Sequence, residues 1–356
     1  MKRILMLCLL VTLTAACSAG ETASTPEPVS PTASTSTEGT ATPAGSTAPA
    51  IQPGEPWLVY HWYQAGKQTK DIFLVRPDGS DAHPITADVA GEHTFPSWSP
   101  DGTQIAFVTR DDETPNGSVW IINADGSKAV QASDGGHACP AGLFHPAWFP
   151  DGSKLAVVCY PNDNEAQVAV LDLETKKLST VSTVTYPETL DNAPTVSPDG
   201  KLVAFDVLKW DPTGNFIEGS LIAVAPVAGG PAQRLTKFKE FMAHPDWSPN
   251  GRELVMNSYD LGNIQATKQP SNLYAIRSDG TKLRQITQSS VDGSMRIAQP
   301  RWSPDGKQIV VSIASATPDG EGFRVNNVRL GLVEAAGGEP TLVPVNGAAA
   351  DVRPGT

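Results

Sequence analysis

Long apolar runs are missing. The 356 residues contain no stretch of ~18 or more consecutive apolar side chains, so a bilayer-crossing helix is not expected. Basic residues are also few: 26 lysines and arginines stand against 38 aspartates and glutamates, a net charge of -12. They are scattered, which leaves no surface able to neutralise phosphates and argues against nucleic acid as a partner. Cysteine occurs four times and never as Cys-x-x-Cys. Gly-x-Ser-x-Gly, His-Glu-x-x-His and P-loop signatures are absent too, and no room is left for a hydrolase domain before Thr356, so the usual catalytic machineries are not expected. Nowhere in the body does an amphipathic helical period appear.

What the chain has is a repeat. Trp98-Ser99-Pro100-Asp101-Gly102 returns as Trp148-Phe149-Pro150-Asp151-Gly152, Val196-Ser197-Pro198-Asp199-Gly200, Trp247-Ser248-Pro249-Asn250-Gly251 and Trp302-Ser303-Pro304-Asp305-Gly306. The interval of roughly 50 residues is the length of a propeller-blade repeat. Pro fixes φ at the second position of a type I turn, Asp or Asn tolerates the third and Gly supplies the fourth. Each copy follows a Pro two residues upstream (Pro96, Pro146, Pro194, Pro245, Pro300) and precedes an apolar run such as Ile105-Ala106-Phe107-Val108. A strand, a tight turn and a second strand are expected, with the Trp filling the space between adjacent sheets.

The N-terminus reads differently. Lys2 and Arg3, the apolar run Ile4–Leu13 and the small residues Thr14-Ala15-Ala16 form an export signal over residues 1–16. The stop at Ala15-Ala16-Cys17 resembles the lipobox of bacterial lipoproteins, which implies lipid on Cys17. Residues 17–52 then follow, from Ser18 on almost wholly Ser, Thr, Pro, Ala, Gly and Glu, a composition that cannot seed a core. They read as a disordered tether reaching ~30–35 Å.

The body, residues 53–356, carries a second hairpin between copies of the first. Examples are Leu273–Arg277 with Ser278-Asp279-Gly280 and Val119–Asn123 with Ala124-Asp125-Gly126, most followed by a short run such as Pro84-Ile85-Thr86. Six second hairpins against five first ones predict an all-β, six-bladed β-propeller of four-stranded antiparallel blades. The first blade, begun at Leu58, lacks its innermost strand. Residues near Ala348 to Val352 are expected to supply it and close the ring.

The pairing of Trp-Ser-Pro-Asp-Gly with Leu273–Gly280 resembles the TolB-like β-propeller family over about residues 55–345. That resemblance implies a bacterial-envelope scaffold that binds partner proteins. Residues 18–52 cannot form the separate N-terminal α/β domain of that family.

Several residues are candidates for a site. His145, His244 and Gln299 occupy one slot in three repeats, just before the upstream Pro, with His93 slightly earlier in its own. Imidazoles converging at a propeller mouth can bind a divalent metal, but polar lining of the mouth, with no metal or other cofactor, is the reading taken. Blade geometry sends the compact Asp-Gly turns to one face and the long connections to the other. Trp210, Phe216, Tyr259 and Phe323 fall in those connections and are expected as exposed partner-binding aromatics, together with His93, His145, His244 and Gln299. Cys139 and Cys159, an even pair in an exported chain, are expected as a disulfide, the alternative being two buried thiols. The reading as a whole is a monomeric, lipid-anchored envelope module, facing the periplasm or cell exterior, that binds a protein or peptide without catalysis. Its rival is a metal-assisted carbohydrate-active enzyme of the propeller-lyase kind.

Overall fold

A computed structural model describes residues 51–52, 54–63, 67–110, 116–162, 165–181, 189–210, 217–258, 271–288, 295–319 and 322–354. Six four-stranded antiparallel sheets account for the strands, each made of sequence-consecutive strands except the first, whose innermost member comes from the C-terminus. Numbered in chain order, blades 1 to 6 place Ala348–Val352, Glu92–Trp98, Leu143–Trp148, Thr189–Val196, Met242–Trp247 and Met295–Trp302 innermost. Ala348–Val352 pairs with Leu58–Tyr63, so the two ends of the chain close the ring as the strand count requires. Among the described residues the helical content is one 3-10 turn, Phe238–Glu240.

Each second strand lies between two neighbouring sheets and is buried on both faces. Ile105, Ala106, Phe107 and Val108 are all fully buried, which is why these strands read as continuous apolar runs. The repeated tryptophans fill the gaps between blades. Trp98 packs among Ile72 and Leu74 of blade 1 and Ile105 and Phe107 of blade 2, while Trp247 packs among Ile222 and Leu235 of blade 4 and Leu254 and Met256 of blade 5. Val352 takes the corresponding place between blades 6 and 1, beside Leu58 and Val310.

Every other letter of the repeat has a local task. Ser99 Oγ donates to Asp101 Oδ1 (2.6 Å) and accepts from Gln104 N (2.9 Å), while Asp101 Oδ1 accepts from Thr103 N (3.1 Å). The same bonds recur at Ser197, Ser248 and Ser303. Gly102 closes the turn at φ 65°, a conformation that favours glycine. The Thr of Pro84-Ile85-Thr86 accepts Ile72 N through Oγ1 (2.9 Å), and Thr236 and Thr287 repeat that bond to Ile222 and Leu273.

Two connections expected as loops are partly strand. Leu202–Trp210 pairs with Ile217–Pro226, and Gln308–Asp319 pairs with Gly322–Glu334 out to Asp319 opposite Gly322. These hairpins satisfy their backbone groups internally, so they extend the blade where a bare loop was expected. A disulfide joins Cys139, in the connection before the inner strand of blade 3, to Cys159 in the second strand, with Cα atoms 5.3 Å apart.

Candidate functional site

The inner strands share a feature that sets the geometry of the ring axis. Phe95 (φ 53°), His145 (50°), Ala193 (42°), His244 (49°), Gln299 (54°) and Ala349 (49°) all adopt the left-handed conformation, one per blade. Each sits in a β-bulge. In blade 2, for instance, Thr94 opposes Val108 and Ser97 opposes Ala106, so two residues face one. The following residue is Pro in five blades, which cannot donate to the ladder and is tolerated at a bulge. A non-glycine residue with such φ costs about 1–3 kcal/mol and persists only where the surroundings over-determine it.

In four seams that support comes from a buried polar side chain of the preceding blade. Phe95 N donates to His61 Nδ1 (3.3 Å), His244 N to Asp206 Oδ1 (3.1 Å), Gln299 N to Asn257 Oδ1 (3.2 Å) and Ala349 N to Ser312 Oγ (3.0 Å). These acceptors hold one register position, opposite the residue before the bulge. The network continues sideways: His244 Nδ1 meets Asn257 Oδ1 at 3.1 Å, and Gln299 Oε1 accepts from Ser312 Oγ (3.0 Å) and Ala349 N (3.1 Å). Val108 and Val158 occupy the register position in blades 2 and 3 and accept nothing. Two residues beyond the bulge a second set of bonds crosses the seams. Asp351 Oδ2 accepts Trp98 N and Asp246 Oδ2 accepts Trp302 N, each at 2.8 Å.

Electrostatics at the axis follow from burial. Burial pushes Asp206 up to about 7, against the His244 N–H and Asn192 amide that favour its charge. It pushes Asp246 up to about 6, opposed by Arg301, and raises Asp351 against the same cation. Burial lowers the imidazoles: His244 falls to about 3, and His145 and His61 fall well below the usual value, each aided by nearby cationic groups. His61 is accordingly neutral and accepts through Nδ1. The rings of Phe95 and His145 pack at a tilt of 32° with centroids 3.9 Å apart. Phe95, His145, His244, Gln299, Arg301 and Ala349 surround a cavity of about 20 Å³, room for one water. Among the described residues no group of three or more His, Cys, Asp or Glu could hold a metal ion.

Three of the candidates, His145, His244 and Gln299, are therefore brought together, but inside the channel. His244 and Gln299 are buried and His145 is half-buried, so they do not form an exposed contact surface. His93 is not with them. Its blade presents Phe95 in that slot, and His93 is buried, meeting Thr109 Oγ1 at 3.2 Å and Val89 O at 3.1 Å. Trp210, expected as an exposed aromatic, is instead 1% exposed. It ends a second strand and packs with Leu208, Val158 and Tyr160, because the strand runs past the point where a loop was expected. Phe216 and Tyr259 lie outside the described residues, as does Cys17. Phe323 pairs with Pro318 at the far end of the blade 6 hairpin, its side chain lying outside the description.

The residues that build the axis, His61, Asp206, Asn257, Ser312, Asp246, Arg301 and Asp351, were missed from sequence. A signal existed for three of the first four: His61, Asp206 and Ser312 each interrupt an apolar run of a second strand, as in Val203-Ala204-Phe205-Asp206-Val207, whereas Asn257 is followed by Ser258 and does not stand out. Asp246, Arg301 and Asp351 carry none, since their slot holds Ser97, Ala147 and Thr195 elsewhere.

Comparison with known proteins agrees with this architecture. Curated relatives include an uncharacterized peptidase, YuxL, of Bacillus subtilis, 25% identical over 181 residues, which are 51% of this chain and 24% of that protein. The Tol-Pal system protein TolB of Nitratidesulfovibrio vulgaris is 44% identical over 55 residues, 15% of this chain and 12% of that one. The chain thus spans a quarter or less of the length of these two relatives. Among solved structures, TolB from Acinetobacter baumannii superposes with a TM-score of 0.59 at 18% identity, covering 84% of this chain and 66% of that one. A putative TolB from Agrobacterium tumefaciens gives 0.58 at 18% identity, covering 84% and 97%. At such identity the likeness is one of fold. The TolB beta propeller domain matches residues 32–212, just over half of the sequence, and the chain belongs to that family, PD40.

Proposed function

We propose that this chain is a non-enzymatic binding and scaffold module of the bacterial cell envelope, holding a protein or peptide partner on the face that carries the long connections. Residues 1–16 act as export signal, residues 17–52 as a tether lipidated at Cys17, and residues 53–356 as the binding body, monomeric and facing the periplasm or cell exterior. The observation that carries the reading is the filled ring axis. The space among Phe95, His145, His244 and Gln299, about 20 Å³, holds a water rather than a peptide, which supports recognition on the outer faces. The compact turns spend their polar groups on themselves, as Asp125 Oδ1 does on Ser127 N and Oγ. The opposite face carries the connections from blade to blade, among them the described 85–91 and 134–142, where segments on a rigid frame support binding. The relative TolB of Nitratidesulfovibrio vulgaris is named for the Tol-Pal system, which supports an envelope setting.

Photo-crosslinkers placed one at a time on the full-length protein test this. Sites at the exposed Asp88 and Ala90, in the connection from blade 1 to blade 2, are expected to capture the same envelope partner. Sites at Asp125 and Asp279 are expected to capture none, and capture from the turn face alone overturns the assignment. Cys17→Ser is expected to release the protein from membranes without altering crosslinking in solubilised extracts.

A further inference from the structure

The closing strand ends in a degenerate sixth copy of the repeat, Val352-Arg353-Pro354, with Arg353 where four of the other five copies hold Ser99, Ser197, Ser248 and Ser303 and the fifth holds Phe149. Those serines bond inside their own turns. Arg353 bonds three other places. Its Nε donates to Gly102 O in the blade 2 turn (3.0 Å), and its Nη1 donates to Gln52 O (2.6 Å) and Glu55 O (3.4 Å). The guanidinium lies 5.8 Å from the Trp98 ring and the residue is 7% exposed. Its backbone N–H donates to Trp57 O (2.8 Å). Gly102 leaves the passage open: a Cβ there would come within 2.9 Å of Arg353 Nε.

The segment that Arg353 grips is itself knotted. Gln52 N donates to Glu55 Oε2 (3.0 Å), Glu55 meets Arg76 at 3.4 Å, and Arg76 stacks 4.6 Å over the ring of Trp57, which is fully buried. Leu58 opposes Val75, the strand end that leads into the Arg76–Ser80 turn, so this segment joins the body at the compact-turn face.

We propose that Arg353 is a strap that ties residues 52–57, the blade 2 turn and the closing strand into one cooperative unit, so that release of this segment and opening of the ring are a single event. A guanidinium suits the task because its rigid fork serves several carbonyls at once, whereas an ammonium is a point charge on a flexible stem. A pull on the chain upstream of residue 51 is then borne by the seam between the first and last strands, and whatever lies upstream leaves from the turn face, opposite the long connections.

Hydrogen–deuterium exchange on the full chain tests the coupling. In Arg353→Ala, amides of residues 51–57 and of Ala348–Val352 are expected to exchange at least tenfold faster, by the same factor, with Leu155–Cys159 in blade 3 unchanged. Arg353→Lys is expected to show a smaller but still matched acceleration, and it carries the test if the alanine variant does not fold. Faster exchange of 51–57 with the closing strand as protected as in the wild type overturns the proposal, as does no change in either.

Discussion

Blade 3 and blade 6 solve the same problem with opposite chemistry. Both receive a left-handed bulge residue from the inner strand of the next blade, yet blade 6 meets it with Ser312 while blade 3 offers Val158. Around blade 6 the seams form a hydrogen-bonded network running from Asp206 through Asn257, Gln299 and Ser312 to Ala349. Around blade 3 they are filled by Val108, Phe144, Val158, Tyr160, Leu208 and Trp210, and the blade is cross-linked by its disulfide. The backbone bulge is thus indifferent to which chemistry supports it. The two halves should therefore fail differently, the apolar one to cavities and the polar one to pH.

The largest effect tests what both halves share, a closed ring. Deleting residues 346–356 removes the strand that pairs with Leu58–Tyr63 and exposes an edge. Thermal melting is expected to show a large fall in midpoint and loss of a single cooperative transition. Next comes the apolar half: Trp210→Ala empties a buried seam and is expected to cost about 3–5 kcal/mol in urea unfolding, with no gain or loss between pH 5 and 8. An unchanged midpoint would return Trp210 to the surface. Reduction of Cys139–Cys159, 20 residues apart, is expected to cost ~3 kcal/mol by chain entropy, again independent of pH once the bond is broken.

The last effect belongs to the polar half and shows as a pH dependence rather than a fixed loss. Asp206 has a folded-state value of about 7, above the ~3.9 of an unfolded aspartate. The folded state therefore holds a proton that the unfolded chain lacks. Stability from this group is full below pH ~4 and is lost as pH rises through about 7, by up to ~1.4 kcal/mol per unit. Asp206→Asn keeps an acceptor for His244 N, and its amide can donate to the buried Asn192 Oδ1, which has no partner. The variant is expected to match the wild type near pH 4 and to exceed it at pH 8; equal stability at both would refute the assignment. His244 runs the other way. Its value of about 3 lies below the ~6.5 of a free imidazole, so its contribution is present above that pH and is lost as pH falls towards 3. His145, lowered in the same sense by burial, sits in the slot that blade 2 gives to Phe95. His145→Phe is expected to flatten the acid limb of the stability profile without moving the neutral region.

Sequence reading reached the body far better than the axis. Six blades, the closing strand and the interblade role of the tryptophans were legible because each rests on a local rule repeated five or six times: a Pro-Asp-Gly turn, an apolar run, a strand count. The shared slot of His145, His244 and Gln299 was legible for the same reason. Its meaning was not, because whether a slot faces solvent or the channel depends on a bulge whose only local trace is a Pro. Trp210 misled through the opposite error. It lies eight residues beyond the start of a strand whose counterparts in blades 1, 2 and 5 run only six or seven, and its pairing with Ile217 shows that the strand continues.

The sequence by itself determined the blade, since turn chemistry and burial on both faces act over neighbouring residues and need no knowledge of the rest of the chain. Only the tertiary structure decided what meets at the axis and at the seam. There Arg353 reaches Gln52 across 301 positions and Asp351 holds Trp98 across 253. Contacts at that separation are set by the closure of the ring, which no local spacing encodes.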